Sequence, residues 1–158
     1  MGGFNAAGAS LNNVFVFDGS KWASGPSLPL PLDHASAATL GDRVYIAGGH
    51  NNGADSARLF RLDGNRWTRL ASMHFARGGH ALIAANGRLY AIGGNTAQGN
   101  VAAAEVYDPN SPDSERWLMW IEPGTMSNPP PSGHGVPYFL SASGFTDAEF
   151  WRVANSLR

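Results

Sequence analysis

The sequence predicts an all-β chain assembled from repeated four-stranded antiparallel units, and three observations carry that expectation. A glycine pair recurs at Gly2-Gly3, Gly48-Gly49 and Gly93-Gly94, at spacings of 46 and 45 residues. Around each pair the side chains alternate with a period of two, Val14 and Val16 against Phe15 and Phe17, and Leu89 and Ala91 against Tyr90 and Ile92, which is the period of a strand and not of a helix. Between such runs stand Gly41-Asp42, Asn86-Gly87, Asp18-Gly19 and Asp63-Gly64, two-residue turn signals in which glycine and asparagine accept the positive φ of a tight hairpin.

Composition permits this fold and narrows the function. The 158 residues suit one domain, and a hydrophobic share of 43% can build a core. With 11 basic against 12 acidic residues the formal net charge is −1, so bulk electrostatics point to neither nucleic acid nor membrane as a partner. Cysteine is absent, which excludes disulfides, thiolate zinc sites, iron-sulfur clusters and a cysteine nucleophile. The start "MGGFNAAGAS" lacks a basic segment followed by an apolar run, and no stretch approaches about 18 consecutive apolar residues; the expected location is cytoplasmic.

The unit can be followed along the chain. About 16 residues past each glycine pair comes an apolar stretch closing on an aspartate turn, "VFVFDG", "LFRLDG" and "AEVYDP". A tryptophan follows each time, at Trp22, Trp67 and Trp117, and then a histidine, at His34, His80 and His134. Four strands per unit result: a is "ASAATL" or "HALIAA", b is "RVYIAGG" or "RLYAIGG", c is "ARLFRLD" or "AAEVYD", and d carries the tryptophan. The glycine pair, the aromatic residue before a turn, the tryptophan and "MHFARGGH" at 73–80 together resemble the kelch repeat, over residues 1 to about 135 and most strongly over 34–120.

That resemblance implies kelch-type β-propeller blades. Strand b would be an inner strand of its blade, where glycine lets the backbone crowd its neighbours, and tryptophan and tyrosine would fill the space between blades. The expected units are a partial first blade at 1–27, a blade at 28–73, a blade at 74–122, and a degenerate start of a further blade at 123–144. Closed propellers hold about four to eight blades. The chain therefore reads either as an incomplete ring, a fragment of a larger propeller, or as half of a dimeric ring in which each of two chains supplies three blades.

The third unit departs from the pattern. "DPNSPDSERW" lengthens its c-to-d turn, and "VPYFLSASG" has Pro137 and the single Gly144 in place of a pair. In "FTDAEFWRVANSLR", Thr146 and Glu149 form a capping box, and Phe150, Val153, Ala154 and Leu157 share a stripe, so a short C-terminal helix is expected over 145–158. The alternative is an edge strand, since "FWRV" falls where "LFRL" would.

Strand alternation sends a-to-b and c-to-d turns to one face, and the longer b-to-c and d-to-a connections to the other, where recognition is expected. The candidate partner-binding residues there are Asn5, His50, Asn51, Asn52, Asp55, His74, Arg77, Asn95, Gln98 and Asn100; the competing reading is that these side chains only lock turns. Trp120, on the opposite strand face from Trp117, is a candidate partner or dimer contact. The three histidines at equivalent repeat positions point to a repeated structural role and not to one metal cluster, and Asp18, Asp63 and Asp108 to turn capping. No cofactor, metal or catalytic constellation is expected.

Two functional classes remain. Kelch-type domains imply a protein-interaction module that binds a protein or peptide on the long-connection face. The alternative is a sugar-binding or mutarotase-like enzyme using His50, Asp55 and Arg77, the copper oxidase variant being excluded by the missing cysteine. A nonfunctional fragment is the third reading.

Overall fold

The structure, a computed structural model, describes residues 1–111 and 117–121, with backbone alone at 118–121. The expectations for 123–144 and 145–158, for His134 and for the Trp120 side chain lie outside the described residues. Every regular element described is a strand.

The first pair, β1 (Phe15–Phe17) and β2 (Trp22–Ser24), is antiparallel with Phe17 opposite Trp22. Next comes a four-stranded meander of β3 (Ser36–Leu40), β4 (Arg43–Ala47), β7 (Leu59–Asp63) and β8 (Arg66–Leu70), paired in that order. A second meander repeats it with β9 (Ala81–Ala85), β10 (Arg88–Ile92), β13 (Ala103–Tyr107) and β14 (Trp117–Ile121). These are strands a to d of two successive units, and β1 with β2 is the c and d pair of the unit before. Between b and c of each meander a short ribbon is inserted, β5 (His50–Asn51) with β6 (Ala54–Asp55) and β11 (Asn95–Thr96) with β12 (Gly99–Asn100).

Local chemistry sets the hairpins. Asn86 and Gly87 both have positive φ, 49° and 76°, as a type I′ turn requires. Two turns are displaced by a residue from the expectation: the Asp18 N–H donates to the Lys21 carbonyl, so the first turn is Gly19-Ser20, and Asp63 pairs with Arg66 as the last strand residue, so the third is Gly64-Asn65. Asp63 takes Arg61 Nε at 2.8 Å and Arg43 Nη1 at 2.7 Å in place of turn N–H groups. Asp18 does cap its turn, accepting the Ser20 and Lys21 N–H groups at 2.9 and 3.0 Å, and Asp108 accepts that of Asn110 at 2.9 Å.

The core lies between successive sheets. Val14, Leu28, Leu32, Ile46, Phe60 and Trp67 fill the first junction. Tyr45, Leu59, Met73, Leu82, Leu89, Tyr107 and Trp117 fill the second. The Trp67 and Trp117 N–H groups each reach a carbonyl of the preceding connection, Trp67 Nε1 to Pro26 O at 2.8 Å and Trp117 Nε1 to Ala71 O at 2.7 Å. The glycine pairs earn their recurrence at Gly49 and Gly94, where a Cβ would stand 2.6 Å from the Asp33 and Gly78 carbonyl oxygens respectively, closer than any side chain tolerates. Trp22, the counterpart of Trp67 on the first sheet, is 68% exposed, with Phe15 and Phe17 also exposed.

The histidine register is corrected by the backbone. Asp33 bridges His50, and Gly78 bridges Asn95, so position 33 answers to 78 and His34 to Gly79. Both have positive φ, 48° and 59°. His80 therefore stands one residue out of step with His34, and the two do different things: His34 is exposed, while His80 is buried between the sheets.

Candidate interaction surface

The bridges just described tie each d-to-a connection to a b-to-c ribbon, placing both on one side of the sheets. Residues 4–10 form a third ribbon, closed by a Phe4–Ser10 bridge. The three ribbons then correspond at Phe4, His50 and Asn95, and at Ser10, Asp55 and Asn100.

Successive ribbons are joined through these positions. Ser10 Oγ accepts the Asn52 N–H at 2.7 Å, and Asn52 Oδ1 accepts the Ser10 N–H at 3.0 Å. At the next step Asp55 Oδ2 accepts the Ala97 N–H at 3.1 Å, while Asp55 Oδ1 takes His50 Nδ1 at 2.9 Å. Below the first joint Asp33, largely buried, accepts bonds from Ser10 Oγ and from His34 Nδ1, the latter at 2.8 Å. Burial alone would raise the Asp33 carboxyl, but the hydrogen bonds from Ser10 and His34 outweigh it and hold the group below its ordinary value. The His34 ring lies edge-on to Phe4 and to His50, at centroid distances of 5.3 and 5.5 Å.

The expected contact residues divide accordingly. His50, Asn52 and Asp55 are gathered at the ribbon joints. Asn95, Gln98 and Asn100 are exposed on the last ribbon, Asn51 is half-buried on the middle one, and Asn5 is exposed while its Oδ1 locks the first through the Ala7 and Ala9 N–H groups. Arg77 is a correction: its side chain has no exposure. Arg77 Nη2 reaches Glu105 Oε1 at 2.7 Å, and Nη1 donates to the Ala103 and Gly93 carbonyls at 2.6 and 2.9 Å. Glu105, equally buried, also accepts the His74 and Phe75 N–H groups at 2.6 and 3.1 Å, with His74 Nδ1 at 3.1 Å. His74 stays half-exposed beside this knot. The trio of His50, Asp55 and Arg77 thus does not converge on a surface: two of its members pair at a ribbon joint and the third is enclosed elsewhere.

Beside Arg77 lies His80, whose ring nitrogens have no partner among the described residues. Burial, and then the Arg77 charge, push its imidazole down from 6.5 to about 4, so the ring is neutral near pH 7. Burial likewise pulls Arg77 down, against the opposing pull of Glu105.

Ser10, Asp33 and Glu105 were not among the expected surface or supporting residues. A signal existed for two of them. Ser10, Asp55 and Asn100 recur at intervals of 45, and Glu105 is an acidic residue inside a strand whose counterpart reads "LFRL".

A family model of the kelch motif matches residues 31–74 and 76–117, more than half the chain. The chain belongs to the kelch-repeat family. Its kelch relatives include Kelch-like protein 35 of Mus musculus, 36% identical over 96 residues that cover 60% of this chain and 16% of that protein. Beta-scruin of Limulus polyphemus is 31% identical over 99 residues, 56% of this chain and 11% of that protein. Kelch repeat and BTB domain-containing protein 13 of Homo sapiens is 35% identical over 94 residues, 56% of this chain and 20% of that protein. The match therefore spans a fifth or less of each of these relatives. The four-stranded antiparallel sheets are kelch blades of a β-propeller, and the described residues do not close a ring. Among them no helix is long and apolar enough to cross a membrane.

Proposed function

We propose that these kelch blades are a protein-interaction module that engages a protein or peptide through the face built by the b-to-c ribbons and d-to-a connections, in a cytoplasmic setting. The observation that carries this reading is the ribbon-to-ribbon bonding at Ser10–Asn52 and Asp55–Ala97. It holds the backbone of the face in one arrangement while leaving Asn5, Asn95, Gln98 and Asn100 exposed, so that little ordering is required when a partner docks. A formal net charge of −1 suits a protein partner better than nucleic acid or an anionic membrane.

The exposed Trp22, Phe15 and Phe17 support a second element of the proposal, that a further blade covers this sheet, from a longer chain or from a second copy completing a dimeric ring. The test of the main reading compares polypeptides captured from cells by the wild-type chain, by Asn95→Ala with Gln98→Ala, and by Asp42→Ala with Asn65→Ala on the opposite turns. Loss with the first pair alone, at unchanged melting temperature, supports the reading. Loss with the second pair alone overturns it.

A further inference from the structure

The two ribbon joints share one backbone arrangement and differ in their side chains, most openly at the rim. At the first, rim position 34 carries an imidazole lying edge-on between Phe4 of one ribbon and His50 of the next. At the second, the same rim position is Gly79, and the counterparts of Phe4 and His50 are His50, which packs on Gly78, and Asn95, which stands beside Gly79 itself. The two rim positions are direct neighbours, since the Gly79 N–H donates to the His34 carbonyl at 2.8 Å, and they share a left-handed backbone. Gly79 is exposed, and a Cβ built there would meet Asn95 Oδ1 alone, at 3.2 Å. The second joint therefore has an open notch where the first has a ring.

What the notch would accept follows from its walls. At its edge stands an amide oxygen, that of Asn95. The imidazole of His50 lies over the adjoining Gly78, where a built Cβ would collide with its Nε2, and is held by the Asp55 carboxylate at 2.9 Å. The ribbons at 4–10, 50–55 and 95–100 contain no lysine or arginine, and Asp55 is their single carboxylate; Asp33 adds a second negative charge beneath the adjoining joint. Arg77, the cation nearest to Gly79 in sequence, is enclosed and committed to Glu105. The wanted side chain is planar, donates hydrogen bonds and is positive, and guanidinium meets all three conditions while ammonium is not planar.

We propose that the notch over Gly79 is a subsite for an arginine side chain of the protein partner, set edge-on to His50 and bonded to Asn95, in the place that His34 occupies one joint earlier. This rests on the loop-face reading above and names the chemistry read at one point of that face.

The test is a two-dimensional amide NMR titration of the full chain with N-acetyl-arginine methylamide, alongside its lysine and citrulline counterparts. Saturable shifts of the Gly78, Gly79 and Asn95 amides are expected, with lysine and citrulline each at least about tenfold weaker. Gly79→His should remove the arginine response, because the repeat itself shows imidazole fitting at this backbone conformation. Gly79→Asn, whose side chain tolerates left-handed φ, provides the same blockade should the histidine variant fail to fold. Equal binding of citrulline overturns the proposal, as does an arginine response that survives both substitutions. Shifts on other ribbon amides with none at Gly79 also overturn it, while leaving the loop-face reading in place. No shift anywhere overturns the notch, and the capture experiment with Asn95 and Gln98 variants then decides the face.

Discussion

Lowering pH should begin to destabilise the blades above the range in which carboxylates ordinarily titrate, and His80 is the reason. In the unfolded chain its imidazole protonates near 6.5, whereas in the folded chain burial and the Arg77 charge hold it at about 4. Between those values the unfolded state binds a proton that the folded state refuses, so stability falls as pH falls. The contribution is complete above pH 6.5, declines by about 1.4 kcal/mol per pH unit below it, and is exhausted near the folded value, a total of about 3 kcal/mol. By about pH 5 roughly 2 kcal/mol should be gone, a large part of a typical domain's margin. Urea unfolding at neutral pH and near pH 5 measures the loss, and His80→Leu isolates it, because leucine fills similar space and leaves no ring nitrogen unpaired. The variant should lose markedly less stability than the wild type over the same interval. Identical pH slopes would refute the reasoning, showing that the ring is hydrated or already protonated in the folded chain.

Three further outcomes follow from the packing. Arg77→Met should cost about 3–5 kcal/mol in urea unfolding, because it strands the Glu105 carboxylate in the interior, while Arg77→Met with Glu105→Gln should recover part of the loss, since the amide oxygen is uncharged and still accepts the His74 and Phe75 N–H groups. Gly49→Ala should destabilise far more than Gly53→Ala in thermal melts, since only the former drives a Cβ into the Asp33 carbonyl, although both glycines have positive φ. Trp67→Phe and Trp117→Phe should each lower stability by about 1–3 kcal/mol, from a stranded carbonyl and lost volume, whereas Trp22→Phe, exposed on the first sheet, should have little effect in the monomer.

What could be read in the sequence was what short-range chemistry determines. The glycine pairs, the two-residue turns and the strand alternation act within a few residues, and they place both four-stranded blades and the interblade role of Trp67 and Trp117. Apart from the one-residue shifts at the aspartate turns, the misreadings involve partners far along the chain. "HFARGGH" reads as an exposed connection, and only Glu105, 28 residues on, makes Arg77 an interior group. One unit earlier the same two places hold Leu32 and Phe60, both buried, so a paired change from apolar to charged was visible but needed the register to be interpreted. That register was the obscured quantity. His34 and His80 look equivalent by letter, yet the bridges to His50 and Asn95 align His34 with Gly79. The ribbons, too, were legible only as polar loops, because two-residue strands carry too few side chains to show alternation.

Hydrogen exchange of the chain with and without a captured protein partner tests the interaction surface most directly. Protection concentrated in 50–55, 78–79 and 95–100 is expected. Protection confined to the opposite turns at 41–42, 64–65 and 86–87 would contradict the assignment of function to the ribbon face.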